Sequence, residues 1–151
     1  MAGLYLEEFS IGQVFKHEIR RTVLESDNML FSSLTYNSAP IHIDHDYASK
    51  TEFGKPLMNS VFTLGLIIGL SVQDTTVGTT IGNLGFGEVT YPAPVFAGDT
   101  IRCETTVVEI RESKSRPTQG IVTFEHKGIN QHGAAVCVAI RKALMMKKPL
   151  N

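Results

Sequence analysis

The sequence predicts an α+β domain in which an antiparallel sheet curls around one buried helix. Three observations carry this. The longest apolar run, "VFTLGLIIGLSV" over residues 61–72, is hydrophobic on every side of a helix and so must be covered by other elements. Four segments rich in β-branched residues and bounded by turn residues follow it. One alternating segment and short helical stretches precede it, and that order suits helices packed on one face of an antiparallel sheet.

Taken in order, "QVFKHEIRRTVL" mixes alternation with β-branched residues and reads as a first strand. "ESDNMLFSSLTY" changes to helical spacing, with Leu30, Phe31 and Leu34 on one side and Ser26 or Asp27 as a cap. "TYNSAPIHID" follows, and Pro40 is expected to keep it out of helix, because proline fixes its own φ and pushes Ala39 toward an extended conformation. "HDYASKTEFGKP" allows one more helical turn, started by Asp44 and Asp46 and stopped by Gly54 and Pro56. The central helix should run from Asn59 to Gln73.

Beyond it, "GTTIGNLGFGEVTY", "DTIRCETTVVEIRES", "QGIVTFEHKGINQ" and "AAVCVAIRKALMMK" read as four long strands. Pro92, Pro94 and Gly98-Asp99 separate the first two, Arg116-Pro117 the next two, and Gln131-His132-Gly133 the last. This order is that of a single hot-dog domain over residues 1–151. Such sheets associate edge to edge, so a homodimer or a higher homo-oligomer is expected.

The whole-chain properties narrow the function. At 151 residues a single domain buries roughly 68–70% of its unfolded surface and needs no staple. Lys+Arg 14 against Asp+Glu 15 leave a formal net charge of -1, which carries neither a nucleic-acid footprint nor a polybasic membrane surface. The apolar run is well short of the ~18–20 residues needed to span a bilayer. Its Gly65–Gly69 spacing is therefore read as part of a core helix and not as a membrane dimer motif. Cys103 and Cys137 lie in apolar alternating segments without a CxxC pair, as free thiols in a reducing compartment do. "MAGLYLEEFSIGQ" has neither the cationic start nor the apolar stretch of a secretory signal. A cytoplasmic protein is the expectation.

The chemistry concentrates in "TYNSAPIHID". An unperturbed histidine titrates near ~6.5 and can take and return a proton at neutral pH, which makes His42 a candidate general base. Asn37 cannot be a base, but its amide both donates to and accepts from a water. The competing reading is a polar loop whose residues bond their own backbone. His42 and His45 also form an HxxH beside Asp44 and Asp46, but no later cysteine or histidine cluster completes a metal site. No metal is expected.

"FSSLTYNSAPIHIDHDYASKTEFGKPLMNS" resembles the signature of the MaoC-like, or R-specific, enoyl-CoA hydratases, approximately F-x-x-x-[ST]-G-D-x-N-P-x-H-x-D followed by Y-A and F-G. Phe31, Thr35, Pro40, His42, Asp44, Tyr47, Ala48, Phe53, Gly54 and Pro56 match in order. "PVFAGDTI" and "SKSRPTQGIVTF" are similar to later strands of that family. Asn37 stands where the usual family has its aspartate, and Asn59-Ser60 where many members have His-Gly. "KTEFGKPLMNSVFTLGLIIGLSVQDTTVGTTIGNLGF" and "SKSRP" resemble the branch acting on mesaconyl-CoA and related dicarboxylyl-CoA thioesters, such as itaconyl-CoA, which also carries asparagine there.

The resemblance implies reversible hydration of an enoyl-CoA, with coenzyme A carried by the substrate and no other cofactor. His42 is then the base and Asn37 holds the water. Backbone N–H groups around Asn59, Ser60 and Val61 would stabilise the thioester oxygen, since helix N-termini present unpaired donors. An ordinary N-cap at Asn59 or Ser60 is the alternative and is compatible with this. Arg111, Lys114 and Arg116 beside a turn could grip CoA phosphates or a substrate carboxylate, or form a solvated loop. Two rival functions remain: a hot-dog acyl-CoA thioesterase, which needs a carboxylate at the central helix where only Asp74 stands at its far end, and a non-catalytic acyl-CoA-binding protein.

Overall fold

A computed structural model describes residues 3–149. Five strands, β1 (Val14–Thr22), β2 (Thr80–Thr90), β3 (Thr100–Glu112), β4 (Gln119–Ile129) and β5 (Ala135–Met146), form one antiparallel sheet in the order β1-β3-β4-β5-β2. The helices are α1 (Glu25–Leu34), α2 (Pro40–Ile43), α3 (His45–Ser49) and α4 (Ser60–Thr75). This is the hot-dog arrangement expected from the order of elements. Each strand falls within its expected segment, because alternation and turn residues are local signals.

The helix α4 lies across the inner face of the sheet. Ile67 is fully buried, and Leu70 and Met58 are nearly so, against Val23, Ile101, Cys103, Cys137 and Ala139. A second cluster, Leu6, Phe9, Val107, Val122, Phe124, Ala143 and Met145, fills the other end of the sheet. Gly128 sits under the helix: a Cβ there would stand 2.6 Å from Ile67 Cγ2. Both cysteines are free and buried, and burial pushes the Cys103 thiol up to about 12 and the Cys137 thiol up to about 11. No helix among the described residues is long and apolar enough to cross a membrane.

Three local expectations are corrected. The helix α4 is wrapped on one side only within this chain, for Val61, Gly65 and Gly69 form an exposed stripe along it. In α1 the apolar residues Leu30 and Leu34 are 62% and 71% exposed, whereas Asn28 and Ser32 are buried. Asn28 turns inward to backbone groups that need partners, whereas the buried Ser32 hydroxyl has no partner among the described residues. Neither Ser26 nor Asp27 is the N-cap of α1. Asp27 acts from the third helical position, its carboxylate accepting the Leu24 N–H at 2.8 Å.

Candidate active site

Pro40 opens a short helix instead of preventing one. Ala39 is extended (φ -60, ψ 120) and Pro40 occupies the first position of α2, where a missing N–H costs nothing and a fixed φ suits the helix. That turn carries His42. Asp44 then caps α3 as expected, its side chain accepting the Tyr47 N–H at 2.9 Å.

The His42 ring is held by one strong contact. Nδ1 lies 2.7 Å from the carbonyl oxygen of Leu57. A carbonyl can only accept, so Nδ1 carries a proton, and in the neutral ring the lone pair is on Nε2. His45 turns elsewhere, to Glu25 at 2.5 Å, so the two histidines of the HxxH do not converge.

Asn37 closes its own turn. Its Oδ1 accepts the Ala39 N–H at 3.0 Å, and its backbone N–H donates to Ser32 at 2.8 Å. This is the local backbone bonding of the competing loop reading, but it uses only the oxygen. The Nδ2 group has no hydrogen-bond partner among the described residues. Asn37 lines a hollow of about 190 Å³ with Phe31, Thr35, Asn59 and Val61. Before it, Tyr36 is 95% exposed with φ 56, the single non-glycine residue in the left-handed region among the described residues.

The start of α4 closes the other side. Asn59 is 3% exposed and is the N-cap, its Oδ1 accepting the Val61 N–H at 3.0 Å. The Val61 N–H, expected among the oxyanion donors, is therefore occupied within the cap. The Ser60 and Phe62 N–H groups have no hydrogen-bond acceptor among the described residues, as the first turn of a helix leaves them. Ser60 itself lines a second, mostly apolar cavity of about 220 Å³ with Leu57, Thr63, Tyr91, Pro92 and Val136. Burial, helped by Cys137, pushes the Tyr91 phenol up from its ordinary value, so it enters this cavity as a neutral hydroxyl.

The cationic turn is not part of this arrangement in the chain. The site lies where Met58 N–H meets Val95 and where Ile101 packs, at the start of β3. Arg111, Lys114 and Arg116 lie at its far end. A strand rises about 3.3 Å per residue, which puts Arg111 roughly 30 Å from Ile101. Arg116 instead bonds within its own turn, its N–H to Ser113 at 3.2 Å and its guanidinium to Gln119 at 3.3 Å. Adjacency to a turn does not reveal at which end of a sheet the turn falls.

Asn28 escaped the sequence reading. It is 2% exposed. Its Nδ2 donates to the carbonyls of His42 at 2.8 Å and Leu57 at 3.0 Å, and its Oδ1 accepts the Asn59 N–H at 2.9 Å. Two carbonyls on one side and an N–H on the other fix which amide atom is which. Stranding any of these buried groups would cost about 1–3 kcal/mol. The available signal was its place three residues before Phe31 on one helical face.

The family model of the MaoC like domain matches residues 8–130. The chain is 28% identical over 97% of its length to a mesaconyl-CoA hydratase from Cereibacter sphaeroides, of which it covers 42%. Among solved structures it resembles a MaoC-like dehydratase from Rhodospirillum rubrum (31% identity, TM-score 0.84, 98% of this chain and 100% of that one). It also resembles a monoamine oxidase regulatory protein from Archaeoglobus (33% identity, TM-score 0.87, 99% and 98%). The chain thus spans about two-fifths of the mesaconyl-CoA hydratase it matches.

Proposed function

We propose, from the premise that the chain belongs to the MaoC-like domain family, that it is a hydro-lyase adding water reversibly across the Cα=Cβ bond of an enoyl-CoA thioester. The observation that carries this reading is the fixed tautomer of His42, whose Nε2 lone pair is left free by the Nδ1 bond to Leu57. The Asn37 Nδ2 donates to a lone pair of the water and leaves its protons available. His42 Nε2 takes one proton as the oxygen attacks Cβ. The electron pair of the double bond moves toward the thioester oxygen, where the Ser60 N–H at the positive end of α4 stabilises it. His42 then returns the proton to Cα, and water has been added with nothing left over.

The substrate class is a short branched dicarboxylyl-CoA such as mesaconyl-CoA or itaconyl-CoA, supported by the relative named above. Coenzyme A arrives with the substrate, and no other cofactor takes part. The thioesterase alternative loses its carboxylate: Asp74 is bonded to His17 at 2.7 Å. The cytoplasm is the compartment, in keeping with two buried free thiols.

The active unit is a homodimer. β2 is an edge strand with Ile81, Leu84 and Phe86 40–52% exposed, and Val61 at the mouth of the Asn37 hollow is 56% exposed. A second copy that covers them also supplies the missing wall around α4. Arg111, Lys114 and Arg116 reach a substrate anion only if the partner copy presents them.

Incubation with mesaconyl-, itaconyl- and linear enoyl-CoA tests the reading. Loss of enoyl absorbance without release of CoA thiol is expected. Thiol release, or no change with any of the three, would reject it.

A further inference from the structure

One buried carboxamide touches both halves of the site. The backbone of His42 belongs to α2, the Leu57 carbonyl to the segment before α4, and the Asn59 N–H to the cap of α4. Asn28 binds all three from α1, with its two amide protons and its oxygen. The Leu57 oxygen is shared, because it accepts from both Asn28 Nδ2 and His42 Nδ1. The contacts span 14 to 31 residues of sequence, so no local turn enforces them.

We infer that Asn28 is a positioning residue which ties the turn bearing His42 to the cap of α4, and through Leu57 holds the histidine in its Nδ1–H form. This rests on the hydration reading for its catalytic consequence, but its hold on His42 is a property of the fold. A neutral imidazole in water favours the Nε2–H form, whose lone pair is on Nδ1, where it would face the Leu57 carbonyl oxygen. The fixed Leu57 carbonyl reverses that preference. An oxygen held from two sides cannot swing away from Nδ1, and the same amide prevents the cap of α4 from drifting relative to the ring. Asn28 touches neither water nor substrate. Its removal should therefore act on turnover and leave ground-state binding nearly unchanged, since misplacement by about 1 Å can cost on the order of 10²-fold in rate.

Nitrogen-resolved NMR of the imidazoles in the whole protein, with His42 assigned from His42→Gln, tests this together with steady-state hydration. In the wild type the expected results are an Nδ1–H signal for His42 and slow solvent exchange of the Asn28 carboxamide protons. In Asn28→Ala and the milder Asn28→Ser, compared at equal folded fraction by circular dichroism, His42 should shift toward the Nε2–H form. In the same variants kcat should fall about 10–100-fold with KM changed less than about threefold. Fast exchange of the Asn28 amide in the wild type overturns the inference without any variant. An unchanged His42 tautomer in either variant overturns it too, as does a changed tautomer with wild-type kcat. If the wild type hydrates none of the thioesters, the functional reading fails, while the tautomer and exchange data still decide whether Asn28 holds His42.

Discussion

The Nδ1 of His42 lies 2.7 Å from the carbonyl oxygen of Leu57, and that contact determines which ring nitrogen can act as a base. His42→Ala removes the proposed base while leaving the Asn28 bonds to the backbone in place. Turnover on the preferred enoyl-CoA should drop by about 10²–10⁴-fold, the usual worth of a general acid–base group. Thermal unfolding should move little. Steady-state kinetics beside a melting curve separate the two effects.

Tyr36 occupies left-handed backbone at φ 56 with its side chain in solvent. The family signature has glycine at this place, which reaches that conformation without steric cost. Tyr36→Gly should stabilise the protein by about 1 kcal/mol, set against some loss of chain entropy. That is roughly 2–4 °C in Tm for a domain of this size. A lower Tm would mean that the exposed ring makes contacts that outweigh the backbone strain.

Gly128 gives α4 its close approach to the sheet. Gly128→Ala places a methyl group 2.6 Å from Ile67 Cγ2, and Ile67 is fully buried and β-branched, with little freedom to yield. Overpacking of this kind costs about 1–3 kcal/mol. Urea unfolding of the two proteins measures it, through a lower midpoint at unchanged slope.

A polar chain crosses the core at the far end of α4. Asp74 pairs with His17, His17 with Thr105 at 2.8 Å, and Thr105 with His126 at 2.8 Å, leaving the His126 Nε2 without a partner among the described residues. Burial pushes His126 down to about 3, and the charges of Arg141 and His17 add to this. A histidine depressed in the folded state binds its proton more readily when unfolded. Its contribution to stability is therefore complete above about pH 6.5 and declines as the pH falls toward 3. Denaturant unfolding at pH 7, 5 and 4 should show this decline. His126→Asn, which keeps a partner for Thr105, should flatten it.

The strands, the central helix and the Asp44 cap were legible because each is specified within a few residues by alternation, an apolar run or a capping carboxylate. His42 and Asn37 stood out through a long motif. What the sequence concealed is non-local. Nothing near Asn28 announces partners at His42, Leu57 and Asn59. The exposure of Leu30 and Leu34 cannot be read from a helical wheel that assumes the apolar side is the buried one. Arg111, Lys114 and Arg116 looked available for an anion because the sequence does not say which end of β3 they occupy. The occupation of the Val61 N–H by Asn59 follows only from cap geometry.

The most direct test of the central claim is incubation of the protein with mesaconyl-CoA in water enriched in the heavy oxygen isotope, with products read by mass. The account predicts an intact acyl-CoA carrying one heavy oxygen and the two hydrogens of water on its acyl chain. Heavy oxygen in a free acid accompanied by CoA thiol, or unlabelled starting thioester after prolonged incubation, would contradict it.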